Sequence, residues 1–338
     1  MIEAAQWFRQ AEALTYTTRA DGIETVHGGH FCVVDGETGA VMHSAGIPEL
    51  PVFPRSSLKF IQALPLVESG AADAFALSET HLALSCASHY GEAGHATLVQ
   101  SWLSTIGCNP SDLVCGHAWP WRADDRESYI RQGHDKAPEL HNCSGKHSGF
   151  LTVCRHQGWT VKDYDSPDHP AQALFKSNLL ALSGCAEADL AWGVDGCALP
   201  TPSLPMVDMA RALASFSRPK LNTVRGQAQQ RLLDAIAAQP WYLAGTDDLA
   251  SALAHVTQGR IIGKIGADGY YAIVVRDKGW GLAIKTLDGS LTVVDAALFA
   301  ILCRLGLLSD AEKAILEPLA LKPVTNSRGD VIGRRFAL

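Results

Sequence analysis

The spacing of apolar and polar residues changes period twice along the chain. Near the start, IETVHGGHFCVV and AVMHSAG flank the turn DGETG and predict a hairpin over residues 24–46. From residue 56 the apolar positions recur at helical spacing. SSLKFIQALPLVES at 56–69 predicts a helix that Pro65 must bend or end. Residues 78–107 predict helix broken at HYGEAGH, and 169–183 a helix capped by Asp168 with Pro170 in its first turn. LAWGVDGC at 190–197 predicts a short strand. Residues 205–257 predict helix in three pieces, split near Arg218–Pro219 and Gln239–Pro240. Then the period returns to two. RIIGKIG, YYAIVVRD and WGLAIKTLD predict three strands joined by ADG- and KG-type turns. Helices at 292–306 and 309–318 follow, and a strand-like piece surrounds SRGD.

Strands therefore sit at the two ends of the chain and helices between them. Sequential strands joined by short turns are antiparallel. The expected fold is α+β: an antiparallel sheet built from both chain ends, flanked by helices, with a helical insert. The expected organisation is a single catalytic domain over 1–338 with two lobes. A sheet lobe takes about 19–55 and 258–338, and a mainly helical lobe about 56–257. No internal repeat is visible.

Apolar residues make up 47% and charged residues 19% of the 338, enough to bury a sizeable core. The net charge of −7 and the lack of a basic tract argue against a nucleic-acid partner. MIEAAQWFRQAEAL has no basic stretch followed by an apolar one, so no secretory signal is expected. Asp295 and Arg304 interrupt the longest apolar segment, LTVVDAALFAILCRLGLL at 291–308, which predicts a buried helix and no membrane span. A soluble, cytoplasmic protein is expected. The nine cysteines are odd in number and irregular in spacing, which predicts reduced thiols. Cys86, Cys154 and Cys303 lie in apolar runs and are expected as ordinary buried residues.

The candidate chemistry lies in four short stretches. In PRSSLKF, Ser56 and Lys59 are spaced i, i+3, which on a helix brings their Cβ atoms to about 5–6 Å on one face. A neutral lysine there can take the proton of the serine hydroxyl, provided burial or a nearby cation lowers its pKa. In RIIGKIGADG, Lys264 falls on a strand with Gly266 two residues on. Serine β-lactamases and penicillin-binding proteins pair S-x-x-K with a later K-T-G, and Lys264-Ile265-Gly266 follows in the same order. An edge-strand lysine can also serve only to block aggregation. LALSCASHYGE adds Ser85, Ser88 and His89 at a helix break, where serines are usually caps. HNCSGKH sets Cys143 three residues from Lys146 and four from His147, while LAWGVDGCALP offers Asp195 and Cys197. With no C-x-x-C, spacing alone leaves a metal site open.

RSSLKFIQALPLVESGAADAF, ALSCASHYGEAGH, HNCSGKHSGFL, GVDGCALPTPSLPM and GKIGADG, in that order, resemble the rhizobial-type (class 3) L-asparaginases. The resemblance runs from about Arg19 to at least Gly269, and CSGKH and VDGC are its specific parts. It implies a serine β-lactamase/glutaminase-like fold, a homodimer, a bound zinc ion (Zn2+), and hydrolysis of L-asparagine to aspartate and ammonia. Carried over by motif, the two serine–lysine pairs fall on Ser56 with Lys59 and on Ser88 with Lys264. The zinc ligands fall on Cys143, Lys146 and Cys197, and Arg55, His147 and Asp195 lie near substrate or metal. Two positions depart from the family pattern: Phe60, where proline is frequent, and Ile265, where small residues are common. The alternatives are another serine amidohydrolase, glutaminase- or β-lactamase-like, and a non-catalytic zinc-binding module. Broken serine–lysine pairs would mark the last, and here they are intact.

Overall fold

The computed structural model describes residues 4–338. The chain forms two compact units. One comprises Met1–Ser57, Ser203–Arg218 and Asp247–Leu338, the other Leu58–Pro202 and Pro219–Thr246.

The first unit is built on a seven-stranded sheet. Across it run the strands Arg335–Ala337, Glu12–Arg19, Gly22–Asp35, Trp280–Thr286, Tyr270–Val275 and Ile261–Gly266, each antiparallel to its neighbours. The seventh, Val41–Ala45, also pairs with Gly22–Asp35. That strand is 14 residues long, so one of its edges serves two partners in turn. Its first half pairs with Glu12–Arg19 and its second half with Val41–Ala45, the predicted hairpin. The two chain ends meet where Thr15 lies opposite Ala337, and the rings of Tyr16 and Phe336 stack at 4.8 Å. The three late strands fall where the alternation placed them. Asp268 and Gly269, both at positive φ, form the first of the two turns between them.

Every residue of Tyr270–Val275 is buried, so both faces of the sheet are covered. The Met206–Ser217 helix packs on one face, where Gly36 and Gly281 leave room for its backbone at Ala214 and Ala210. A Cβ at either glycine would collide with it. The Leu291–Arg304 helix covers the other face and holds most of the long apolar segment. It is 14 residues long, about 21 Å at helical rise and well short of a bilayer core. Among the described residues, no helix is long and apolar enough to cross a membrane.

The second unit is mainly helical and organised around Ser144–Gln157, a helix buried on all sides from Ser144 to Cys154. Around it pack Leu64–Glu68, Glu79–Ser85 and Ala93–Thr105. The break at HYGEAGH is real: residues 86–92 form no helix between Glu79–Ser85 and Ala93–Thr105. Two glycines set how this unit closes. A Cβ on Gly145 would collide with the Leu84 carbonyl, so the start of the Ser144–Gln157 helix sits directly on the end of Glu79–Ser85. Gly91, at φ +67°, likewise admits the Leu140 carbonyl. The helix Pro170–Ser183 matches its predicted span, but His169 caps it and Asp168 does not. His169 Nδ1 accepts the Ala171 N–H, taking the role expected of a carboxylate one residue earlier.

Candidate active site

In the first unit, the turn that carries Ser56 is anchored to the Ile261–Gly266 strand. The Pro54 carbonyl lies where a side chain of residue 266 would stand, so the glycine of GKIG exists to let this turn in. Arg55 adopts φ +54°, a costly conformation for a non-glycine residue, and its guanidinium grips Asp268 at 2.6 Å. Ser57 is fully buried, and its hydroxyl and N–H both bond to the Pro54 carbonyl. Of the two adjacent serines, the structural task therefore falls to Ser57, and Ser56 is only half-buried. Lys264 is buried on the same strand face as Gly266, and its ammonium donates to the Ile265 carbonyl at 2.8 Å.

Ser56 and Lys59 lie on one helical run, a 3₁₀ turn over Arg55–Leu58 continuing into Lys59–Gln62. Lys59 belongs to the second unit and is fully buried there. Its amine donates to the Ala87 carbonyl, to Ser88 Oγ at 3.0 Å and to the Asn142 carbonyl at 3.1 Å. Burial lowers its pKa and Lys146 adds to that, partly offset by the thiols of Cys143 and Cys197. Of the two serine–lysine pairings expected, the structure thus adds a third link: Lys59 holds Ser88.

Cys143, Lys146 and Cys197 converge. The Cys143 and Cys197 sulfurs share a hydrogen bond, and Lys146 Nζ lies 3.0 Å from Cys197 Sγ. That shared hydrogen bond, with the charges of Lys59 and Lys146, holds the Cys143 thiol well below its ordinary range despite burial. Cys197 is pushed up by the same bond and by burial, so it is the partner that keeps the proton. Burial works against the charge of Lys146, but the two sulfurs outweigh it and raise its pKa. Asp195 Oδ2 stands 3.5 Å from Cys197 Sγ. Among the described residues no three His, Cys, Asp or Glu side chains gather as a metal-ligand group, so only the lysine amine brings this set to three donors. Two thiols and a nitrogen, all buried, make a donor set that suits zinc.

His147 is fully buried and its pKa is pushed well down, chiefly by burial and then by Lys146. Its Nδ1 lies 2.6 Å from the Tyr164 hydroxyl, which accepts the Val114 N–H. Satisfying all three groups requires Tyr164 to donate to Nδ1, which leaves the proton of the neutral ring on Nε2. That Nε2–H is buried and has no hydrogen-bond partner among the described residues. His89 is fixed in the same way. Its Nδ1 accepts the Gly91 N–H, and Ser144 Oγ gives its proton to the Glu139 carbonyl, so His89 Nε2 donates to Ser144 at 2.8 Å.

All ten predicted residues are thus placed. Arg55, Ser56 and Lys264 belong to the sheet unit, and the other seven gather in the helical unit. Sequence reasoning missed Tyr164, the His89–Ser144 clasp, and the Ala87 and Asn142 carbonyls. Tyr164 sits in an unpatterned loop and backbone carbonyls have no residue signature, whereas His89 was noticed beside Ser88 without a partner. All nine cysteines are free; Cys86 and Cys154 are buried, and Cys303 is half-buried at a helix end.

A family model described as L-asparaginase II matches residues 15–336. No curated protein matches the chain. Among solved structures, a β-lactamase from Mycobacterium bovis aligns at 12% identity over 82% of this chain and 94% of its own, with a TM-score of 0.44. An octameric penicillin-binding protein homologue from Pyrococcus abyssi aligns at 13% identity over 86% and 76%, with a TM-score of 0.42. A mutant simvastatin synthase from Aspergillus terreus aligns at 11% identity over 77% and 86%, with a TM-score of 0.40. Similarities of that size leave the chemistry to this chain's own residues.

Proposed function

The chain belongs to the L-asparaginase II family, and on that premise we propose that it hydrolyses the side-chain amide of L-asparagine to aspartate and ammonia. The observation that carries this reading is Lys59: a fully buried amine with a lowered pKa, bonded to Ser88 and three residues from Ser56 on one helical run.

In this reading Lys59, whose lowered pKa lets it shed one of the three protons its hydrogen bonds use, acts as a neutral amine and takes the proton of Ser56 Oγ as that oxygen attacks the amide carbon. The carbon–nitrogen bond breaks, and the departing nitrogen takes that proton back through Ser88, leaving as ammonia. Water then attacks the aspartyl ester, with Lys59 again accepting a proton; the bond to Ser56 Oγ breaks, Lys59 returns the proton to that oxygen, and aspartate is released. Lys264 is the second basic group of the site. Arg55 and Asp195 would bind the charged ends of the substrate, and His147 Nε2–H would donate to one of its oxygens. Cys143, Lys146 and Cys197 would hold zinc, with Lys146 giving up its proton to bind. When bound, zinc would supply a Lewis acid able to hold and orient an oxygen of the substrate. Two thiolates would already neutralise its charge, so the serine and not a metal-bound water is cast as nucleophile. The resemblance also makes a cytoplasmic homodimer the assembly to look for.

The test is ammonia release by the purified protein, with L-asparagine, L-glutamine and a chromogenic β-lactam as competing substrates. Turnover of asparagine well above the other two supports the proposal. Preference for glutamine or the β-lactam would replace it with another amidohydrolase.

A further inference from the structure

The helical unit contains a cavity of about 330 Å³ that no step above uses. Its size is at the small end for ligand sites. None of the serine–lysine or thiol residues lines it. Gln172 and Trp192 do, and each carries a buried polar atom with no hydrogen-bond partner among the described residues: Gln172 Oε1, an acceptor, and Trp192 Nε1, a donor. Gln172 is only 3% exposed, and its other end is spent on the Tyr164 carbonyl at 2.7 Å, which fixes the amide so that Oε1 stays an acceptor. The indole is held in place as well. Phe175, fully buried, meets it edge-on, and the Lys176 ammonium stands 5.7 Å from its ring centre while pairing with Glu187. An unmatched donor and an unmatched acceptor, both desolvated and rigid, favour a ligand that answers both at once.

We propose that this cavity, lined by Gln172, Phe175 and Trp192, binds a small molecule carrying a planar primary carboxamide on an apolar or aromatic body. The carboxamide oxygen accepts from Trp192 Nε1–H, and its NH₂ donates to Gln172 Oε1. The body packs against Phe175 and the indole. A carboxylate of the same shape has no donor and sets an anion against Gln172 Oε1. One wall of the cavity is formed by Gly193 and Val194 of the strand Ala191–Val194 and by Ala198 in the turn after it, which also carries Asp195 and Cys197, so occupancy borders the proposed metal-holding segment.

The test is calorimetric titration of the full-length protein with benzamide and with benzoate, beside the Trp192→Phe variant. That substitution keeps the ring and removes only the donor, at a half-buried position. Saturable 1:1 binding of benzamide is expected, at least tenfold weaker for benzoate and at least tenfold weaker in Trp192→Phe. Absence of saturable binding, or equal affinity in the variant, overturns the proposal; equal affinity would place the benzamide elsewhere, the serine–lysine centre included. Should the variant fail to fold, a crystal structure of the wild-type protein with benzamide decides. The carboxamide must lie between Trp192 Nε1 and Gln172 Oε1, and a cavity holding only water overturns the site. Binding is read without turnover. Benzamide bound here by a protein that releases no ammonia from asparagine refutes the asparaginase reading alone, and the reverse result refutes this site alone.

Discussion

His95 offers a sharp test of how the helical unit is held together. Its imidazole is completely buried, stacked on Trp241 with 4.0 Å between ring centres and 6° between planes. Burial lowers its pKa from 6.5 to about 4, with Glu92 and the Trp241 backbone pulling weakly the other way. Between those two values the unfolded chain binds a proton that the folded one refuses. Stability must therefore fall as pH drops through about 6.5, and stop falling on this account below about 4. Linkage across that gap gives a loss of about 2 kcal/mol between pH 7.5 and pH 5 from this one ring. His95→Phe keeps a flat ring against Trp241 and cannot titrate. Urea unfolding followed by tryptophan fluorescence, on both proteins at both pH values, isolates the term. Burial also lowers the pKa of His30, His81, His89 and His147, so both proteins should weaken in acid. The wild type should lose about 2 kcal/mol more than the variant. Equal losses would refute the reasoning, because a ring that is protonated at no cost is not sealed from water.

The two adjacent serines should separate cleanly: Ser56→Ala should abolish ammonia release while leaving the melting temperature close to wild type. Ser57→Ala, which removes the hydroxyl bonded to the Pro54 carbonyl, should lower the melting temperature by about 1–3 °C, the effect of about 1 kcal/mol, and keep the chemistry; the opposite pattern would exchange their roles. Cys197→Ser should lose most of the bound zinc, read by elemental analysis, and raise KM for asparagine with little change in melting temperature, since a core this large does not need a metal to fold. Retention of stoichiometric zinc by that variant would remove Cys197 from the ligand set. Gly145→Ala should cost about 1–3 kcal/mol, because its Cβ meets the Leu84 carbonyl and must push the helix start away. A neutral result in thermal melts would show that the contact is slack.

The sheet was legible from its late strands, because YYAIVVRD and WGLAIKTLD are β-rich runs closed by turn residues that need positive φ. The first strand, Glu12–Arg19, was not. Its threonines and tyrosine suit a strand, but one of its edges pairs with Arg335–Ala337 and the Leu291–Arg304 helix packs on it, both from the far end of the chain, which a local pattern cannot reveal. The site was legible as residue types: the motif glycines Gly91, Gly145 and Gly266 each mark a close approach of backbone to backbone. Partnership was less legible. Spacing alone set Lys59 beside Ser56, whereas its hydrogen bond to Ser88 depends on the non-helical residues 86–92 bringing Ser88 to an amine that also meets the Asn142 carbonyl. Nor could spacing show that Ser57 bonds back to the Pro54 carbonyl or that Tyr164 fixes the tautomer of His147.

The central claim is that asparagine is opened by a serine ester at Ser56, and one measurement addresses it directly. The protein is mixed with saturating L-asparagine, quenched in acid during turnover, digested, and mapped by mass spectrometry. An aspartyl adduct on the peptide that spans Ser56, absent in Ser56→Ala, is the predicted result. Ammonia released at an undiminished rate with no adduct at Ser56, or with the adduct at Ser88, would contradict it.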